Sequence, residues 1–219
     1  MPLKSNKNPE VSVNDLYALK VSALWRYFKS ESLAFWLLCF YFFMEYVRLQ
    51  IVYPAIDILP WGQIALLGTL FTAILNPKIK WVGHPINKPF LLFYLIIILS
   101  SVFAFMPQAS WAARDIVLTW FLVYFLTISI IDDQKKFFLF ILLYGLFNLK
   151  MAQHGAYTWT ARGFAFSGWG LAGAPVWFKN SGEYAIQMLI FGSLSLSFAL
   201  ALHHRWGIYK KWLMILLCA

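Results

Sequence analysis

Six apolar runs, each close to the ~20 residues that cross a bilayer once tilt and interfacial aromatics are allowed for, limit what this chain can become. They lie at Leu33 to Tyr53, Trp61 to Leu75, Phe90 to Phe105, Ile116 to Ile131, Phe137 to Met151 and Tyr184 to Leu202. In hydrocarbon the backbone polar groups must be satisfied within the segment, so runs of this kind predict helices. The expected fold is an all-α polytopic transmembrane helix bundle. A seventh run opens at Trp212 and reaches Ala219 in eight residues, too few to span, so the expectation is about six complete spans plus the start of a seventh. The links Tyr53 to Trp61 and Met106 to Asp115 carry proline, tryptophan and an acid, and read as tight interfacial turns.

Composition agrees with membrane residence: 61% of residues are apolar, 20% aromatic and only 12% charged. The net charge of +9 is spread between the apolar runs rather than gathered on one polar module. That distribution argues for positive-inside topology and against nucleic acid as a partner. With the N-terminus inside, the cytoplasmic segments hold Lys4, Lys7, Lys20, Arg26, Lys29, Lys78, Lys80, Lys88, Lys135, Lys136, Arg205, Lys210 and Lys211. The other side holds Arg48, Arg114, Lys150, Arg162 and Lys179. Every cytoplasmic segment is richer in Lys and Arg than its outer neighbours, apart from the long loop after Met151, which comes close.

Residues 1–30 are polar and lysine-rich and lack the pattern of a cleaved signal peptide, so they are expected to stay in the cytoplasm. Leu16, Leu19, Ala23 and Tyr27 recur at helical spacing beside Lys20, Arg26 and Lys29, which predicts a short amphipathic helix on anionic lipid. Residues 31–219 are expected to form the bundle, incomplete as it stands, with an outward loop over 152–183. Cys39 and Cys218 fall in apolar runs and predict buried thiols rather than a disulfide or a metal site. His203 and His204 are adjacent and cannot meet one metal from one helix face. No metal and no cofactor is expected.

The stretch from Thr160 to Ala185 departs most from bilayer filling. It combines Arg162, Lys179 and Glu183 with Gly163, Gly168, Gly170, Gly173 and Gly182 and with Phe164, Phe166, Trp169, Trp177 and Phe178. Asn180 and Glu183 have the spacing of a capping box that opens the helix from Tyr184. A helix N-terminus favours an anion, and outward cations run against the topological bias, so Arg162, Arg114, Arg48, Lys179 and Asn180 form a candidate phosphate-binding set. Arg162 and Glu183 are the catalytic candidates. The competing reading has Arg48 paired with Glu45 three residues before it, Arg114 paired with Asp115, Glu183 only capping, and the cations meeting lipid headgroups. Glu45, near the outer end of the first run, is costly to hold in a membrane and is itself a functional candidate, with pairing to Arg48 the alternative.

Two stretches carry a family resemblance: YFFMEYVRLQIVYPAIDILPWGQ from Tyr41 to Gln63, and the arginine, glycine, asparagine and glutamate pattern between Arg162 and Ala185. Together they resemble the amino-terminal half of the O-antigen ligase and O-antigen polymerase-like family of bacterial inner-membrane glycosyltransferases. The resemblance implies transfer of a glycan from undecaprenyl-pyrophosphate to a lipid or glycan acceptor at the outer face of the inner membrane, in surface polysaccharide or lipopolysaccharide assembly. Ligase and polymerase share that donor and differ in acceptor. It further implies that Arg162 contacts the pyrophosphate and that Asn180 and Glu183 order the helix start beneath it. It implies a larger bundle, whose remaining spans a second half or a partner subunit would supply. The reading from a different class is a non-catalytic membrane subunit, or a transporter handling an anionic lipid or glycolipid. Broken helices and mid-membrane charges would mark a transporter, whereas the assigned runs read as continuous.

Overall fold

The computed structural model describes residues 11–112, 114–165 and 180–212. The described residues form helices and connecting turns, with no strand among them. Lys179, Cys218, the seventh run beyond Trp212 and most of the glycine- and aromatic-rich stretch lie outside the described residues.

Two short helices, α1 (Val13–Tyr17) and α2 (Val21–Ser30), precede α3 (Leu33–Val47). Ser12 and Ser32 start α1 and α3 by accepting from Asn14 N and Phe35 N. Arg48 ends α3 in the left-handed region, at φ 52° and ψ 55°, and a four-residue α4 (Leu49–Val52) and a turn at Pro54–Ile56 follow. The first apolar run is therefore broken at Arg48 instead of running on to Tyr53. α5 (Trp61–Leu75) has the predicted bounds, and α6 (Asn87–Val102) comes next. The expected turn after Met106 is instead helical, as α7 (Pro107–Ala112), and leads toward α8 (Arg114–Ile130). α9 (Gln134–Ala161) is capped by Asp133, which accepts from Lys135 N, and α10 (Ser181–Leu202) completes the set.

Three stretches are long and apolar enough to cross a membrane: Pro107–Ile130, Gln134–Ala161 and Ser181–Arg205, of 24, 28 and 25 residues. α3, α5 and α6 are apolar but hold 15, 15 and 16 residues. α6 exposes Leu91, Leu92, Phe93, Leu95, Ile96 and Leu99 around much of its circumference. A helix that shows apolar groups in several directions suits lipid better than water.

Contacts between distant residues define the two ends of the bundle. At one end Gln134 donates to the Tyr17 hydroxyl at 2.6 Å, Lys136 pairs with Glu31 at 3.8 Å, and Arg205 donates to Asn14. At the opposite end Lys150 donates to the Val47 carbonyl at 2.8 Å, and the Tyr184 hydroxyl donates to the Met151 carbonyl at 3.0 Å. The amino-terminal end carries Lys20, Arg26, Lys29, Lys78, Lys80, Lys88, Lys135, Lys136, Arg205, Lys210 and Lys211. The opposite end carries Arg48, Arg114, Lys150 and Arg162.

The amino-terminal segment corrects one expectation. Leu16 and Ala23 are almost wholly buried and join Phe35, Leu38, Leu126 and Phe138 in one apolar core. Leu19, at φ 51°, breaks the segment into two helices. Trp206 Nε1 donates to the Tyr17 carbonyl at 2.8 Å, Lys210 donates to the Ala18 carbonyl, and Arg205 lies over the Tyr17 ring at 5.3 Å. The apolar face meant for lipid is thus turned onto the bundle. Inside this seam, burial and the neighbouring Glu31 carboxylate push the Tyr27 phenol well above its ordinary value.

Candidate functional site

The site is built around the end of α3. Its last carbonyls have no intrahelical partner, and two cations take them up. Arg48 Nε donates to Glu45 O at 3.3 Å and Lys150 Nζ donates to Val47 O at 2.8 Å, at the helix end where the dipole favours positive charge. Arg48 and Glu45 also attract each other through their charges, as the sequence spacing allows. Two of the cations predicted on this side therefore cap a helix.

Glu45 is half-buried, and its carboxylate lies against the first turn of α5. A Cβ added at Gly62 would stand 2.5 Å from Glu45 Oε1, so any larger residue there would push the carboxylate from its place at that helix N-terminus, where negative charge is favoured. Trp61, beside it, is fixed by its indole N–H donating to Ile56 O at 2.6 Å.

Glu45 borders a cavity of 570 Å³ where α3, α8, α9 and α10 converge. α3 contributes Tyr41 and Tyr46, α8 Trp120 and Tyr124, α9 Met151 and α10 Gln187. The far wall is held by a polar cluster. Gln187 Nε2 donates to Asn148 Oδ1 at 2.6 Å and to the Tyr144 hydroxyl at 3.0 Å, and Asn148, fully buried, donates to Tyr144 O at 2.9 Å. Satisfied in this way, the two amides join α9 to α10 and set their register. The Tyr46 and Tyr144 rings meet edge to face at 5.1 Å, and the Tyr124 hydroxyl donates to Asn87 Oδ1 at 2.8 Å.

The remaining candidates stand elsewhere on the same end. Arg114 opens α8 and borders a second cavity of 300 Å³ with Tyr94, Ser101, Ser110 and Trp111. Asn180 caps α10 by accepting from Gly182 N at 2.8 Å, and Glu183 is exposed in that first turn, so the capping residue of the expected box is in place. The loop expected over 152–183 begins later than predicted, because residues 152–161 continue α9. Arg162 is the C-cap of that helix, with Gly163 at φ 64° behind it. Gly163 N bonds to Thr160 O at 3.0 Å and Phe164 N to Trp159 O at 3.1 Å, while the Trp159 and Phe164 rings touch at 5.0 Å. These bonds and this contact make a Schellman stop.

At about 1.5 Å of rise per residue, Arg162 stands about 18 Å along the axis beyond Lys150. The structure thus gathers Arg48, Lys150 and Glu45 at one point, and puts Arg114, Arg162 and Asn180 at separate points of the same rim. The cavity residues Tyr124, Trp120 and Gln187, and Asn148 behind Gln187, are not among the sequence candidates. The amides had a signal, since Asn148 and Gln187 interrupt apolar runs where an unneeded polar group is costly. No family model, no curated protein and no solved structure matches this chain.

Proposed function

We propose that the protein is a membrane glycosyltransferase of the O-antigen ligase or polymerase-like kind. It moves a glycan from undecaprenyl-pyrophosphate to a lipid or glycan acceptor at the outer face of the bacterial inner membrane. The observation that supports this most is the aromatic-lined cavity that Glu45 borders, with Arg48 bonded to the Glu45 backbone carbonyl, at the end of the bundle that is poor in Lys and Arg. On the positive-inside rule that end faces outward. All six apolar helices then cross the bilayer, the short ones with help from interfacial residues such as Trp61.

In this reading Arg162, Arg114, Arg48, Lys179 and the Asn180 helix start are positive groups spread along the path of the lipid-linked donor and its pyrophosphate. Charge builds on that group as the glycosidic bond breaks, so cations held ready there lower the barrier. The test is Arg162→Ala in native membranes, read as transfer of a radiolabelled lipid-linked glycan. Transfer is expected to fall about a hundredfold, the scale of one lost charge-stabilising contact. Unchanged transfer overturns the role given to Arg162.

A second reading has one observation in its favour. The break at Arg48, with Glu45 and Lys150 beside it, is the kind of interrupted helix that transporters use at substrate sites. It makes the protein a carrier of an anionic lipid or glycolipid. Proteoliposomes holding a fluorescent polyprenyl phosphate separate the two, since a carrier moves the lipid between leaflets without any acceptor.

A further inference from the structure

We infer that the 570 Å³ cavity receives the acceptor sugar and that Glu45 takes the proton from its attacking hydroxyl. This rests on the glycosyl-transfer reading and assigns the base which that reading leaves open.

The argument starts from charge. Among the described residues that line the cavity, the one charged group is the carboxylate of Glu45. A diphosphate placed inside would meet that negative charge, so the chamber suits a neutral ligand. Its lining includes the aromatic side chains of Trp120, Tyr46 and Tyr124, a residue type on which the C–H face of a sugar ring can lie, together with tyrosine and amide groups suited to hydroxyls. A volume of 570 Å³ falls within the range of small-ligand sites, about 300–1,000 Å³.

The position of the carboxylate is fixed from two sides. The Gly62 backbone leaves it room at the start of α5, and the charge of Arg48 attracts it. Among the described residues that line the cavity with it there is no second acid: Tyr41 and Tyr46 come from its own helix, Trp120 and Tyr124 from α8, Met151 from α9 and Gln187 from α10.

The step balances without a metal or an oxidant. The acceptor oxygen forms a bond to the anomeric carbon as the bond from that carbon to the diphosphate oxygen breaks. The bonding pair leaves with the diphosphate toward the cationic rim. The acceptor proton passes to a Glu45 oxygen and is later lost to water. Arg48 is bonded to the backbone carbonyl of the residue that takes the proton.

The test compares wild type, Glu45→Gln and Glu45→Ala in native membranes, with a radiolabelled undecaprenyl-pyrophosphate glycan and saturating acceptor. Glu45→Gln is expected to lower kcat by about 10²- to 10⁴-fold, the usual contribution of a positioned base, while KM for the donor holds. Added formate is expected to restore part of the rate of Glu45→Ala, which a carboxylate needed only to pair with Arg48 would not show. Wild-type membranes that transfer nothing overturn the glycosyl-transfer reading and this inference together. Wild-type transfer with full activity in Glu45→Gln, or no formate rescue of an inactive Glu45→Ala, overturns the inference alone. Should both variants fail to accumulate, Gly62→Ala keeps the carboxylate but displaces it by occupying its place. A kcat loss without a KM change there supports the inference, and wild-type kcat overturns it.

Discussion

Arg162 and Gly163 illustrate how one dipeptide can serve two ends. Gly163 holds a positive φ that other residues adopt only with strain, and the two backbone bonds of the helix stop depend on it. Gly163→Ala is therefore expected to cost about 1 kcal/mol, read as a lower denaturation midpoint in detergent. Arg162 enters that motif through its backbone, since its own N–H bonds to Thr158 O at 3.2 Å whatever the side chain. Arg162→Ala leaves those backbone bonds in place and should then lower the midpoint less than Gly163→Ala does. If the transfer loss proposed for Arg162→Ala came with a midpoint as low as that of Gly163→Ala, the arginine would be acting on the fold and not on the donor. Glu45 and Gly62 form a comparable pair, in which the missing side chain of one residue makes room for the charged group of the other.

At the scale of elements, the seam between α9 and α10 carries the far wall of the cavity, and its tightest point is Gly155. A Cβ there would fall inside the contact distance of the Tyr184 hydroxyl, which is committed to Met151 O. Gly155→Ala should cost about 1–3 kcal/mol, as overpacking does, and should cost less in a Tyr184→Phe background, because the hydroxyl is the nearest obstacle. Denaturation midpoints of the two single variants and the double variant give the coupling, and strict additivity would disprove the contact. The helices differ in how much of this the sequence discloses. α5 was legible to the residue because Pro60 precedes it and Asn76-Pro77 follows it, and both punctuate locally. The sequence places the end of α9 at Met151 because Gln153, His154, Thr158 and Thr160 lower the hydropathy without breaking a helix, so their polarity resembles that of a loop. The end of α3 was missed for the opposite reason. Nothing apolar stops at Arg48, and the break depends on a carbonyl bond from Lys150, a hundred residues later in the chain. Non-local causes of this kind also turned α1 and α2 inward, since the groups that hold them, Trp206 and Lys210, follow α10. Of the candidate site, the cationic rim was readable from charge bias alone, whereas the cavity required knowing which helices meet.

For the whole molecule the question is which end faces which compartment, because every functional statement about Arg48, Arg162 and the cavity depends on it. The amino-terminal end holds most of the Lys and Arg, and its charges are engaged with one another: Lys20 with Asp15 at 2.6 Å, and Lys136 with Asp132 at 2.6 Å and with Glu31. Moving such a cluster across the hydrocarbon is far costlier than moving the sparse opposite end, which is the physical basis of positive-inside orientation. Labelling reads the outcome directly. In a protein whose Cys39 and Cys218 are replaced by alanine, single cysteines at Asp57 and Thr160 probe one end, and those at Lys78 and Tyr209 probe the other. All four positions are exposed to solvent or headgroups. A membrane-impermeant maleimide added to intact spheroplasts is expected to label Asp57→Cys and Thr160→Cys, and to reach Lys78→Cys and Tyr209→Cys only after the membrane is opened. The reverse pattern would put the cavity on the cytoplasmic side and rule out transfer at the outer face. Labelling of Lys78→Cys together with Asp57→Cys in intact cells would mean that α5 does not cross, and would reduce the bundle toward the three stretches whose length alone suffices.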